Sequence, residues 1–297
     1  MDFDAVIVGG GPAGLSAALT LSRAGRRTVL FDADDPRNAP AYHAHGLLTR
    51  DGVPPETLRT LGREDVLRYG TEIRTVRVAE VVKISGGFRV QTARGRSVET
   101  RTLVLATGVV DELPDLPGLA EAWGTSAIHC PYCHGYEWRD RPTAVLGRGD
   151  GTYAQARLLR GWTSDLTVLT NGPENLDTSQ EHSLSGMGIK VDRRPIARLR
   201  CDGKRLVAVQ FTDGDETPFD VLYLRPPQRQ AAPFAEQLGV PCNGPHAQAD
   251  EDGRTSVTGL FVAGDAVNTV QNVAMAIASG VRAGMAANYD LVCGPPR

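Results

Sequence analysis

The chain has no excess of basic charge, no second cysteine pair and no apolar run long enough to cross a membrane. Its 32 Lys and Arg residues face 35 Asp and Glu, for a formal charge of −3. That balance leaves no electrostatic footprint for nucleic acid. Five cysteines in 297 residues do not make a disulfide scaffold. Cys201, Cys242 and Cys293 stand alone in sequence and read as small buried or incidental thiols. Residues 5–21 carry no charge, but Asp2 and Asp4 sit where a secretory signal is positive, and Gly9-Gly10-Gly11-Pro12 interrupts the run. No other stretch suits a bilayer span, so no membrane partner is expected and the chain reads as cytoplasmic. In that compartment a lasting disulfide is more often catalytic than structural.

What is present begins at the N-terminus. Val6-Ile7-Val8 runs into Gly9-Gly10-Gly11-Pro12-Ala13-Gly14, a buried strand entering a glycine turn and then a helix. Gly9, Gly11 and Gly14 hold the three glycine positions of a dinucleotide fingerprint. The first permits the tight turn, the second lets backbone approach a pyrophosphate, and the third lets helix pack on strand. Pro12 and Ala13 open the helix, whose N-terminal N–H groups face the anion. Asp32 ends the next strand, eighteen residues after Gly14, and is the expected acceptor for a ribose hydroxyl.

Strand and helix patterns outline two α/β units. The first has strands near residues 5–9 and 28–32, a helix over 56–69, and an alternating stretch over 71–105 that reads as a β-meander. It closes on Ala106-Thr107-Gly108. Pro114 and Pro117 mark a linker. A second unit follows, with strands at 144–146 and 166–169 around a helix, and returns through Pro226-Pro227. The last segment is Leu260–Ala263, the turn Gly264-Asp265-Ala266, and a helix from about Val273, just beyond Gln271. This ending needs a sheet partner, and the first unit supplies it. The expected organisation is an α/β protein with two Rossmann-like dinucleotide-binding domains, the second inserted into the first. Residues 1–113 and 225–297 form the outer domain and 114–224 the insert.

The insert opens on Cys130-Pro131-Tyr132-Cys133-His134. The string is also that of a c-type haem attachment site, but the secretory signal which that compartment requires is lacking. A structural zinc site needs two further ligands at suitable spacing. His129 and His134 are near, but no second cysteine pair exists, so no metal is expected. Two inert buried thiols are the bland alternative. A redox-active pair is the reading that uses the nucleotide turn as well.

The order of motifs, with C-x-x-C-x-G opening the middle domain, resembles the low-molecular-weight thioredoxin reductase family over nearly the whole chain. His134 stands where bacterial thioredoxin reductases usually carry an acid. That variant is similar to the thioredoxin reductase-like dithiol oxidases that close disulfides in natural products such as gliotoxin, holomycin and romidepsin, the holomycin type above all. The resemblance implies FAD as cofactor, contacted by Gly9, Gly11, Pro12, Ala13, Gly14, Asp32, Ala106, Thr107, Gly108, Gly264, Asp265, Gln271 and Val273. It implies a homodimer. It also implies a flavin-facing Cys133 and a substrate-facing Cys130.

The second glycine turn, Gly147-Arg148-Gly149-Asp150-Gly151-Thr152, looks damaged. Arg148 is bulky, Thr152 replaces the third small residue, and the following strand ends in Thr170-Asn171 rather than an acid or an arginine cluster. No nicotinamide is expected there. His129 and His134 flank the cysteines and are candidate bases, since a thiolate and not a thiol attacks a disulfide. His43 and His45 lie in a loop expected to border the flavin. The expected reaction is oxidation of a small-molecule dithiol to an intramolecular disulfide, with oxygen as acceptor and hydrogen peroxide as product. The rivals are a conventional thioredoxin-disulfide reductase fed by NADPH or another donor, and a flavin-binding redox sensor without turnover.

Overall fold

The structure, a computed structural model, describes residues 1–172 and 176–294. It is a mixed α/β protein built on two largely parallel sheets.

The first sheet centres on strand Phe3–Val8, which pairs in parallel with Thr28–Asp32 on one side and Ser97–Leu105 on the other. Alternate residues serve opposite faces. Val6, Val8, Val29, Phe31, Leu103 and Leu105 join one core. Ala5, Ile7, Leu30 and Val104 join the other. Both faces are covered, which is why these strands read as continuous apolar runs. Opposite Phe3–Val8, the nine-residue strand Ser97–Leu105 serves two further neighbours. Its first half pairs antiparallel with Gly87–Thr92, and its last residues pair in parallel with Leu260–Val262. The C-terminal segment therefore completes the sheet that the N-terminus begins.

One expectation is corrected. The alternating stretch over 71–105 is not a single meander. Glu72–Thr75 pairs in parallel with Thr28–Asp32, reached by a crossover through helix Pro55–Arg68. Only Val78–Ile84, Gly87–Thr92 and Ser97–Leu105 form the antiparallel meander. An edge strand of a parallel sheet shares the period-two pattern of a hairpin, so alternation alone does not separate them.

The chain leaves this sheet along Val109–Asp111 and returns along Gln228–Gln230, and these two segments pair antiparallel. Between them lies a five-stranded parallel sheet with Thr143–Leu146 at its centre, flanked by Leu166–Leu169 and Val221–Leu224. A three-stranded antiparallel layer, Ile196–Asp202, Arg205–Phe211 and Glu216–Thr217, covers one face. Helix Thr178–Gly186 has a capping box in which Asp177 and Gln180 satisfy each other's backbone N–H groups. Among the described residues, no helix is long and apolar enough to cross a membrane.

Helix Pro12–Arg23 is held against the C-terminal helix Val273–Cys293 by small residues. A Cβ at Gly280 falls 2.0 Å from the Ala13 carbonyl oxygen, and one at Gly284 falls 3.0 Å from that of Ala17. This contact seats the end of the chain on the helix that opens the first glycine turn. Gly280→Ala is therefore expected to destabilise the protein by about 1–3 kcal/mol, the usual range for overpacking. Gly186→Ala, where an added Cβ meets nothing within 4 Å, is expected to be neutral or to stabilise by up to about 1 kcal/mol. Thermal unfolding of the two variants checks this, and equal shifts contradict it.

Candidate active site

The first glycine turn lies at the carboxyl ends of the parallel strands. Gly9 has φ +112°, and a Cβ there falls 2.2 Å from the Ala106 carbonyl oxygen. A Cβ at Gly14 falls 1.9 Å from the Gly9 carbonyl oxygen. Ala106 in turn donates its N–H to Val8. Gly264 closes the third side: its φ is +75°, an added Cβ falls 2.8 Å from Ala13 Cβ, and its N–H donates to Ser279 Oγ. The turn Gly9–Gly14, the segment Ala106–Gly108 and the turn Gly264–Ala266 thus converge. Val273 begins the C-terminal helix, capped by Asn272, whose side chain accepts from the Met275 N–H.

Gly11 differs from its neighbours. A Cβ there meets nothing within 4 Å, so no protein contact demands glycine at this point. Open backbone at the N-terminus of a twelve-residue helix is what an approaching pyrophosphate needs. Asp32 lies at the strand end, buried, its carboxylate bonded by Arg63 and by the Asp34 N–H. The residues of the first domain therefore fit a dinucleotide such as FAD.

Asp265 belongs to a polar cluster. Arg37 binds Asp111 through two hydrogen bonds of 2.7 Å, and donates to Asp265 at 2.9 Å and to Gln271 at 2.7 Å. Gln228 donates to Asp111 at 2.8 Å and exchanges bonds with Gln271. Burial raises the Asp265 carboxyl above its ordinary range, with Arg37 pulling the other way. Burial also pushes Asp111 up, but its hydrogen bonds and charge attraction to Arg37 prevail and leave it low.

Cys130 and Cys133 form a disulfide with Cα atoms 5.3 Å apart. The spacing closes because Pro131–His134 makes one helical turn with Cys130 as its N-cap, its sulfur accepting from the Cys133 N–H at 3.2 Å. His129 stacks on Trp123, with ring centroids 6.0 Å apart. Its imidazole is pushed down to about 4, by burial first and then by the positive charge of Arg37. His134 is also lowered, by burial and by His45, with Glu137 opposing. His45 lies edge-on to His134 at 6.2 Å and bridges Asp51 and Glu137 at 3.5 Å each. His43 stands 6.1 Å from His45. The loop that carries His43 and His45 therefore borders the redox segment. A neutral imidazole can accept a proton from a thiol, and the depression that keeps His129 neutral also weakens it as a base, which leaves the less depressed His134 as the stronger of the two. Among the described residues, no group of three or more His, Cys, Asp or Glu is placed to hold a metal ion.

The second turn keeps the first and third glycines of the first turn, Gly9 and Gly11, as Gly147 and Gly149, and two of its replaced residues make new contacts. Thr152 Oγ1 stands 2.4 Å from where a Gly147 Cβ falls. Arg148 reaches across to the carbonyl oxygens of Thr170, at 2.8 Å, and Asn171. Asn171 itself spends its side-chain oxygen on the Ile196 N–H.

The sequence profile described as pyridine nucleotide-disulphide oxidoreductase matches residues 3–280. The chain belongs to this family. Within it, the chain is 33% identical over 304 residues to the protein named thioredoxin reductase tcpT of Claviceps purpurea, covering 97% of this chain and 94% of that one. A structure titled "Crystal structure of HlmI" superposes with a TM-score of 0.92 at 36% identity, covering 97% and 92% of the two chains. The thioredoxin reductase TrxB of Bacillus anthracis, described as putative in its title, superposes with the same TM-score, 0.92, at 30% identity, covering 98% of each chain. The Cys130–Cys133 disulfide of this family member lies in the part of the chain between the two connecting strands.

Three residues of the site escaped sequence reasoning: Arg37, Asp111 and Gln228. Arg37 lies in an irregular loop, and the other two lie on the connecting strands, where no spacing motif marks them. The only cue was charge and amide groups in segments that otherwise read as linker.

The lowered His129 has a consequence for stability. The unfolded imidazole takes a proton near pH 6.5 and the folded one near pH 4. Between those values the unfolded chain binds more protons, so stability falls as the pH drops through that window and is fully present above it. His129→Gln is expected to lose less stability than the wild type between about pH 7 and about pH 5. Parallel losses in chemical denaturation at the two pH values contradict this.

Proposed function

We propose that the chain is an FAD-dependent dithiol oxidase that closes an intramolecular disulfide in a small-molecule dithiol, of the kind made in natural-product assembly. The observation that carries this reading is the Cys130–Cys133 disulfide flanked by half-buried histidines, in a chain whose second glycine turn is spanned by its own arginine. An oxidised pair beside neutral bases is arranged to receive electrons from a dithiol.

A substrate thiol gives its proton to a histidine, His129 or His134, and the thiolate attacks Cys130. The Cys130–Cys133 bond breaks, Cys133 leaves as a thiolate, and a mixed disulfide forms between substrate and Cys130. The second substrate thiol, also deprotonated, attacks the substrate sulfur of that bond and expels Cys130. The product leaves as a disulfide, and the enzyme holds two electrons as its dithiol. Gly9, Gly11, Gly14 and Asp32 would hold FAD, with Asp265 as a further polar contact, and the bound flavin would supply the two-electron acceptor that passes electrons on to oxygen. The assembly is a cytoplasmic homodimer. The name thioredoxin reductase among relatives favours a second reading, NADPH-dependent reduction of a protein disulfide. The spanned second turn speaks against it.

The two cysteines separate by mutation. Cys130→Ser leaves the Cys133 thiolate beside oxidised flavin and is expected to show a long-wavelength charge-transfer band. Cys133→Ser is expected to show none, and both lose dithiol-dependent oxygen consumption entirely. Oxygen uptake at the wild-type rate in either variant overturns the relay, and a band in Cys133→Ser alone reverses the two roles.

A further inference from the structure

The two glycine turns of this chain are in register. Gly9, Gly10, Gly11 and Gly14 correspond to Gly147, Arg148, Gly149 and Thr152, and at the same spacing Asp32 corresponds to Thr170. The turns share part of their backbone character, although Gly11 lies at φ −76° where Gly149 lies at +70°. Gly9 and Gly147 both have positive φ, of +112° and +154°. Gly11 and Gly149 are both open, with nothing within 4 Å of an added Cβ. Each begins or precedes a helix of eleven or twelve residues.

They part at the residue between the first two glycines. In the first turn Gly10 leaves room for the acid: an added Cβ falls 2.2 Å from Asp32 Oδ2. In the second the acid is gone, and Arg148 fills the place between turn and strand end. Its Nε donates to the Thr170 carbonyl at 2.8 Å and its Nη2 to the Asn171 carbonyl. The same Nη2 lies 3.3 Å from where a Gly172 Cβ falls. In this fold the adenosine ribose of a dinucleotide must lie between turn and strand end. The crevice itself has not collapsed. A cavity of about 580 Å³ remains there, lined by Leu146, Gly147, Arg148, Thr170, Asn171 and Arg225.

We propose that Arg148 is the specificity-determining residue that keeps nicotinamide nucleotides out of the second domain, as an internal occupant of the adenosine-ribose position in an otherwise preserved crevice. The pyridine nucleotide that the family name implies therefore does not fit the chain as it stands. The inference deepens the dithiol oxidase reading and rests on it. It also predicts a sign. An arginine that held a nucleotide phosphate would lose affinity when removed. An occupant yields affinity, because the competent state is no longer a minor population.

The test is titration of the FAD-loaded protein with NADH and with NADPH, followed by nicotinamide fluorescence. Arg148→Gly, which recreates the Gly10 arrangement, is expected to bind at least one of them about tenfold or more tightly than the wild type. Arg148→Ser serves if the glycine variant does not fold, and flavin content with dithiol-dependent oxygen uptake reports that each variant is intact. Binding that is unchanged or weaker in both intact variants overturns the proposal. Rapid flavin bleaching by NADPH in the wild type instead defeats the oxidase reading, so the two failures are told apart.

Discussion

Arg37 places one positive charge between two carboxylates, Asp111 and Asp265, and the packing of the outgoing connecting strand against the turn before the C-terminal helix depends on it. Its loop belongs to the first sheet, Asp111 ends the outgoing connecting strand, and Gln228 begins the returning one. Asp265 and Gln271 lie on the approach to the C-terminal helix. The guanidinium bonds Asp111, Asp265 and Gln271, and Gln228 joins the cluster through Asp111 and Gln271, so four segments are tied together. Taking these charges out of water is costly, and the bidentate geometry is what offsets it. Removing one partner of such a part-buried cluster is destabilising, because the other charges remain without it. The same positive charge adds to burial in holding His129 in its neutral form, so the cluster at the root of the connecting strands also acts on a group next to the disulfide.

The two glycine turns show how one backbone plan has two outcomes. Both keep the strand, the positive-φ glycine and the helix N-terminus. In the first, each absent side chain has a physical use: Gly9 and Gly14 against carbonyl oxygens, Gly10 against Asp32, Gly11 open for a ligand. In the second, Thr152 and Arg148 have turned the same spaces to internal contacts. A turn that hydrogen-bonds its own strand end is a stable structural corner.

Much of this was legible in the sequence because it rests on local rules. The strand-turn-helix at Val6–Gly14 and the strand-terminal Asp32 follow from spacing, and the closing strand Leu260–Val262 follows from needing a sheet partner. Helix Thr178–Gly186 was not read, because its apolar residues form no clear stripe and only Leu184 is buried. Glu72–Thr75 was placed in the wrong arrangement, because parallel and antiparallel edges share a period. The Arg37 cluster was invisible for a different reason. Its members are up to 234 residues apart in sequence, and nothing local in any of them requires the others. His45 stood between these cases: its loop was suspected, but its contact with His134 is purely tertiary.

The central claim is that electrons enter from a dithiol through Cys130 and Cys133, and not from a nicotinamide. The most direct measurement is the flavin absorbance of the FAD-loaded protein without oxygen, recorded on adding a small dithiol and, separately, NADPH. The account predicts stoichiometric bleaching by the dithiol, reversed on admitting air, and no bleaching at a useful rate by NADPH. Rapid bleaching by NADPH, or a flavin that stays oxidised in excess dithiol, contradicts it.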